Sequence, residues 1–159
     1  AGFSPVQAYR IGLSKIDLLA EISIALSDEQ INKITKKFQR KPDENVSAFV
    51  HRYLLTLYAS DIKHIKIRRE SAAFGWMWSA AYEERIRDQV MALLAPIIEA
   101  LTHEGHTNVP ACCMAIWSLY YVGYRLAVVS GATATQCLES ISPSLGLLLP
   151  TQKNEKSPK

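Results

Sequence analysis

Two histidines and two cysteines come nearest to a metal-ligand pattern in this sequence. His103 and His106 are separated by two residues, and Cys112 and Cys113 follow shortly afterwards. Gly105 is expected to end the helix that carries His103, so the two imidazoles would not share a helical face. Adjacent cysteines on a helix diverge by about 100°, so only one could easily join such a site. Without Cys-x-x-Cys or His-Glu-x-x-His spacing, we predict neither a metal site nor a cofactor.

The motifs of the common enzyme classes are missing from the sequence. It contains no Gly-x-Ser-x-Gly and no glycine-rich phosphate loop. His51 is a possible general base, but its place beside an apolar stripe is more typical of a histidine at the edge of a core. Glu83 and Glu84 lie on the polar side of their predicted helix and are expected to be solvated. We therefore predict that the protein is not an enzyme and assign no catalytic residue.

Basic residues are concentrated in the first half of the chain. Residues 1–70 carry 12 Lys or Arg against 8 Asp or Glu, whereas residues 71–149 carry 3 against 6. Such a basic patch can bind nucleic-acid phosphates or an acidic protein, or simply remain solvated. No helix-turn-helix, RNP motif or zinc finger accompanies it, so nucleic-acid binding is an alternative hypothesis and not the leading one. The predicted patch consists of Lys33, Lys36, Lys37, Arg40, Lys63, Lys66, Arg68 and Arg69.

A short aromatic run, Phe74, Trp76 and Trp78, is the candidate partner-binding site. Residues two apart on a helix diverge by about 200°, so these three rings cannot all be buried on one side. At least one of them must either pack beneath a later apolar segment or lie exposed. An exposed ring would mark a protein-binding surface, since Trp and Tyr are frequent in binding hot spots.

The apolar segment between Asn108 and Gly131 dominates the helical pattern. Asn108 can cap its start, Pro110 fits the first turn, and Gly131 suits the left-handed residue that ends a helix. A helix that is apolar on nearly every side is expected to be buried on nearly every side. Tyrosines in the middle of the segment argue against a membrane span, because tyrosines usually lie at membrane interfaces.

Arg125 is the only charged residue of this segment. A lone arginine in a buried helix needs a carboxylate or several carbonyl groups as partners. We expect a structural ion pair with Glu99, Glu104 or Glu139. The alternative is an anion site within the bundle.

Apolar residues recur at helical spacing along the rest of the chain. The clearest stripe runs from Val46 to Tyr58, where apolar residues stand three or four positions apart. A first helix is predicted to begin at Ser4–Pro5, and a second at the capping box Ser27–Gln30. The stripe after Tyr58 continues ambiguously to residue 70, and we favour a helix there.

Two prolines are expected to interrupt the later helices. Pro96 lies inside a predicted helix over residues 71–105 and should kink or break it. Pro143 should stop a last helix that begins at the capping box Thr133–Gln136, leaving residues 145–149 as an apolar strap over the core.

These patterns predict an all-α fold, a single compact bundle of five or six helices around a central apolar helix at about 109–130. Residues 1–149 are predicted to form one helical domain, and residues 150–159 a disordered polar tail.

The three cysteines and the lack of a signal peptide at the N-terminus lead us to expect a cytoplasmic protein with reduced, buried thiols. The surplus of aromatic rings and the uneven charge favour a non-enzymatic protein-interaction module. We expect an adaptor, chaperone or regulatory helical bundle that binds a protein partner and forms a homo-oligomer. The alternatives are a nucleic-acid-binding accessory protein that uses the basic patch, and a peripheral membrane or secretion-system component.

Overall fold

The structure, a computed structural model, describes residue 12, residues 14–34 and residues 38–149. Within these ranges the secondary structure is helical throughout, and the predicted all-α bundle is confirmed. The predicted helix start at Ser4–Pro5 and the predicted tail 150–159 lie outside the described residues. The described residues form six α-helices: α1 (Lys15–Ile34), α2 (Val46–Lys63), α3 (Ile65–Phe74), α4 (Ala80–His103), α5 (Val109–Ser130) and α6 (Ala134–Leu148).

Helix α2 lies at the centre of the core. The predicted stripe is buried along its whole length, from Val46 to Tyr58, and the burial continues to Asp61. All five other helices contact α2. Each large apolar side chain buried in this way stabilises the fold by ~1.5–3 kcal/mol relative to an exposed one. The Asn45 side chain caps the helix by accepting a hydrogen bond from the Ala48 N–H at 2.8 Å.

Helix α5 has the predicted ends but not the predicted burial. The Asn108 side chain caps its first turn, and Gly131 adopts φ 70° at its C-terminus. Its buried residues occupy one side only, at Cys113, Ile116, Tyr120, Gly123 and Ala127. The expectation that this helix is buried on nearly every side is therefore wrong. The reason is its position at the edge of the bundle, where one of its sides faces solvent.

Both helix-internal prolines lie within continuous helices. Helix α4 passes through Pro96, so a break at Pro96 is wrong and a kink there stays a prediction. Helix α6 passes through Pro143, so the predicted stop is wrong. A proline inside a helix costs ~3 kcal/mol. Buried side chains on either side, such as Leu94 and Ile97 in α4, offset this cost at ~1.5–3 kcal/mol each. The predicted apolar strap is accordingly the end of α6.

Helices α1 and α4 also differ from the predicted boundaries. Helix α1 continues through Ser27–Gln30, because Gln30 turns inward and donates to the Leu57 carbonyl at 3.4 Å instead of capping a new helix. The predicted helix over 71–105 is interrupted by a 3₁₀ turn at Gly75–Met77. Residues 65–74 form a helix, as favoured for the ambiguous segment.

A bidentate ion pair holds the chain at the start of α2. Arg52 donates to the Glu44 carboxylate from Nε at 2.7 Å and from Nη2 at 2.5 Å. The same guanidinium lies 4.2 Å from the centroid of the Phe38 ring, a cation–π contact. The hydrogen bonds from Arg52 lower the pKa of Glu44 to about 2, so this pair is formed at neutral pH.

Candidate interaction surface

Exposed apolar side chains gather on helices α5 and α6. Nine large hydrophobic side chains are exposed among the described residues, and six of them belong to these two helices. Leu147 is the most open at 84% exposure, followed by Val129 at 68%. We call the six residues the α5/α6 face: Met114, Tyr121, Val122, Leu126, Val129 and Leu147.

The sequence of the α5–α6 hairpin explains why this face is apolar. Residues 109–148 contain only two charged side chains, Arg125 and Glu139. Helix α5 therefore presents apolar residues to the core and to solvent alike. A surface helix normally carries charged and polar residues on its outer side, so the α5/α6 face departs from an ordinary solvated surface.

An open groove of about 430 Å³ runs between the two helices. On the buried side of α5, Gly123 lets this helix approach its neighbours closely. An ideal Cβ at Gly123 would lie 2.8 Å from the Cys137 carbonyl oxygen of α6 and 2.2 Å from the Tyr58 hydroxyl of α2. The residues that line the groove are small or apolar: Ala115, Ser118, Leu119, Val122, Ser144, Leu147 and Leu148.

Aromatic side chains on the inner side of α5 fix its rotation about its own axis. Tyr58 donates to the Tyr120 carbonyl at 3.0 Å, and the two rings stack with centroids 4.7 Å apart. The Trp117 and Tyr124 rings also stack on Tyr120, at 5.0 Å and 6.3 Å. Trp117 and Tyr124 belong to α5 itself, so it is the hydrogen bond and the ring stack from Tyr58 of α2 that hold the Tyr120 side of α5 inward and its opposite side toward solvent.

A buried polar cluster lies beneath α5 and consists of Asp61, Arg68, Gln30, Ser27 and Tyr120. The Arg68 guanidinium lies 3.2 Å from the Asp61 carboxylate and donates to the Ser27 hydroxyl at 3.1 Å, and the Tyr120 hydroxyl donates to the same carboxylate. Burial raises the pKa of Asp61, and the charge of Arg68 and the hydrogen bond from Tyr120 oppose that rise. The cluster thus ties α1, α2, α3 and α5 together.

The predicted buried ion pair of Arg125 is not found. Arg125 is exposed on the outer side of α5. Glu104, one of the expected partners, instead pairs with Arg40 and accepts a hydrogen bond from the Val46 N–H at 3.2 Å. The expectation failed because it assumed that every side of α5 is buried.

The structure divides the predicted basic patch. Lys33 pairs with Glu29 on α1, Arg40 pairs with Glu104, and Arg68 belongs to the buried polar cluster. Lys36 and Lys37 lie outside the described residues. Three basic residues remain exposed near the α2–α3 junction, and we call them the junction triad: Lys63, Lys66 and Arg69.

A second concave region of about 600 Å³ lies beside Arg40, between the segment before α2 and the later part of α4. Its lining combines Arg40, Lys41 and His103 with Glu99 and the ring of Phe38. The lining of this cleft therefore carries side chains of both charge signs.

The aromatic run spans the end of α3 and the 3₁₀ turn. Phe74 is half-buried, with the Lys15 ammonium 5.2 Å from its ring centroid. Trp78 is half-buried, and its buried indole Nε1 finds no acceptor among the described residues. The side chain of Trp76 lies outside the described part of the chain. Partner binding by these three residues stays a prediction.

The three cysteines are unpaired thiols: Cys113 and Cys137 are buried and Cys112 is half-buried. Burial raises the pKa of Cys113 to about 11, so this thiol is protonated and is a poor nucleophile at neutral pH. Among the described residues, no group of three or more His, Cys, Asp or Glu side chains is arranged to hold a metal ion.

Comparisons of the chain with protein-family models, with curated proteins and with solved structures find no match. Helix α5 is long and apolar enough to cross a membrane, and 28% of its apolar window is buried within the molecule. One such helix is weak evidence for a span, because it meets the test by length and composition alone.

Sequence reasoning missed the α5/α6 face. The signal was present as apolar or small residues at Ala111, Ser118, Val122 and Val129, which fall on the side of α5 opposite the buried Tyr120. Hydrophobicity alone does not reveal which of two apolar sides faces the core. That choice is made by the Tyr58–Tyr120 ring stack and the close contact at Gly123, both of which are tertiary contacts.

Proposed function

We propose that the protein is a non-enzymatic protein-interaction module that forms a homo-oligomer through the α5/α6 face. The supporting observation is the concentration of large exposed apolar side chains on a hairpin with two charges. Monomeric soluble proteins rarely expose a contiguous apolar patch, and such patches mark sites of protein or membrane interaction. The fixed rotation of α5 adds support, since a pre-organised surface loses less conformational entropy on binding.

The chemistry of the face favours a protein partner. A nucleic-acid surface needs several Lys or Arg residues, whereas Arg125 is the one basic residue on α5 and α6. Helices that lie in a membrane interface usually carry Lys and Arg flanking an apolar side. An apolar groove between two helices, with small residues in its lining, is suited to a helix of another protein molecule.

The test is sedimentation velocity of the full chain over a range of concentrations. We expect the wild type to associate, and Leu147→Glu and Val122→Glu to sediment as monomers, because each places a charge within the α5/α6 face. Met91→Glu is the matched control, since Met91 is 51% exposed on α4, outside the face, and this variant should associate like the wild type. Circular dichroism establishes that each variant remains folded.

A wild type that sediments as a monomer at every concentration would contradict the proposal. Co-sedimentation of that monomer with anionic lipid vesicles, abolished by Leu147→Glu, would instead favour the peripheral membrane alternative.

A further inference from the structure

Six residues form a regular seam along the outer side of α5. Their spacing alternates between four and three residues, the pattern of the contact line between paired helices. Five of the six are exposed, and Ala115 is half-buried at the edge of the groove. We call them the outer seam: Ala111, Ala115, Ser118, Val122, Arg125 and Val129.

The outer seam has small residues in its first half and larger ones in its second half. The first three members are two alanines and a serine, whereas the last three are two valines and an arginine. A parallel partner would place small residues against small ones, leaving gaps, and would crowd large residues against large ones. An antiparallel partner would place every small residue opposite a larger one.

We propose that two copies of the chain pair through α5, antiparallel, about a two-fold axis at the level of Tyr120. This proposal rests on the proposed function and names its partner as a second copy of the same chain. Ser118 then faces Val122 of the second copy, Ala115 faces Arg125, and Ala111 faces Val129. A two-fold interface requires such self-complementarity, since each contact occurs twice.

The charge of Arg125 distinguishes the two orientations. In a parallel pair the two Arg125 side chains would face each other across the seam. In the antiparallel pair they stand ten residues apart along the axis, ~15 Å at 1.5 Å per residue. That separation exceeds the screening length of ~8 Å at physiological salt, so their repulsion is largely screened.

The groove and Leu147 extend the contact beyond α5. The groove is lined by α5 residues from Ala115 to Val122, so it is centred close to the level of the proposed axis. Leu147 stands at its edge and is free to contact α5 of the second copy. Two adjacent helices present a footprint ~27 Å long and ~20 Å wide, or ~540 Å² per copy, near the lower end of specific interfaces. A reversible dimer is therefore expected.

Disulfide cross-linking of the full chain tests the orientation. Cysteines at facing positions come within bonding distance, whereas two copies of position 118 in the antiparallel pair are offset by ~6 Å along the axis and lie ~10 Å apart. We expect an oxidised mixture of Ser118→Cys and Val122→Cys to give at least five times more covalent dimer than either variant alone. The wild type under the same oxidant measures the background from Cys112, Cys113 and Cys137.

A pair of charge variants gives an independent measurement. Ala115→Glu should tighten the dimer several-fold by facing Arg125 of the second copy, and Ala115→Lys should weaken it by a similar factor. Efficient cross-linking of each single variant, with weakening by both charges, would overturn the antiparallel arrangement. If the wild type is a dimer by sedimentation but shows neither pattern, this inference fails while the proposed function stands. A monomeric wild type contradicts both.

Discussion

Replacing Gly123 with alanine tests how closely α5, α6 and α2 meet. The added methyl group would lie 2.2 Å from the Tyr58 hydroxyl and 2.8 Å from the Cys137 carbonyl oxygen, distances that side-chain carbons do not adopt. The Tyr58 ring must move, which breaks its 3.0 Å hydrogen bond to the Tyr120 carbonyl. The Cys137 oxygen belongs to the backbone, so α6 must also move away from α5.

The expected cost follows from three contributions. Overpacking a well-packed core costs ~1–3 kcal/mol. Leaving a buried hydrogen-bonding group unsatisfied costs a further ~1–3 kcal/mol. Alanine is a better helix former than glycine by ~1 kcal/mol, which offsets part of the loss. We therefore expect Gly123→Ala to lower the free energy of unfolding by ~3 kcal/mol, within a range of ~1–5 kcal/mol.

Urea denaturation followed by circular dichroism measures this change. Gly146→Ala is the matched control, because Gly146 is an exposed glycine of α6 and an added Cβ there meets no atom within 4 Å. It should raise the free energy of unfolding by ~0.5–1 kcal/mol through helix propensity alone. In a Tyr58→Phe background, Gly123→Ala should cost less than in the wild type, since the nearest clashing atom is gone. Equal stability of the two alanine variants would refute the close approach.

Two further predictions concern charged groups. Because the folded-state pKa of Glu44 is depressed to about 2, its pairing with Arg52 stabilises the fold above the ordinary Glu pKa of 4.5, and this stabilisation is lost as the pH falls toward 2. Glu44→Gln should therefore remove this part of the acid dependence in denaturation curves recorded at several pH values. Alanine at all three residues of the junction triad should change stability by less than ~0.5 kcal/mol, whereas Arg68→Ala should cost ~3–5 kcal/mol because it leaves Asp61 buried without its ion-pair partner. If the wild type binds a random DNA duplex in a fluorescence anisotropy titration, the triad variant should remain folded and lose this salt-dependent binding. Undiminished binding by the triad variant would exclude the junction triad as the contact surface.

Features of the fold that depend on neighbours in sequence were predictable. Asn45 and Asn108 cap helices because their short side chains accept hydrogen bonds from amides three residues later. Gly131 ends α5 because only glycine adopts a positive φ without strain. The stripe of α2 repeats at helical spacing for three turns, and that repetition identified it as a core helix.

Features that depend on distant contacts were not predictable from the same local signals. Residues Ser27–Gln30 match the capping-box motif, yet the Gln30 side chain donates a hydrogen bond to the Leu57 carbonyl of α2, and α1 continues through the motif. Arg68 stands in a run of basic residues, and only the fold brings it to Asp61. Pro96 and Pro143 are helix breakers locally, but the packing of the residues around them outweighs that preference. The candidate surface belongs to the same group, because it exists only where α6 leaves one side of α5 uncovered.

The position of α6 in the chain has a consequence for biosynthesis. Cys137, Ile141 and Leu145 of α6 complete the core that α2 begins, so α2 is covered by a helix that is synthesised after it. Until α6 has left the ribosome, the side of α2 that packs against α6 remains open to solvent and to other nascent chains. A premature stop within α6 would leave that side of α2 uncovered.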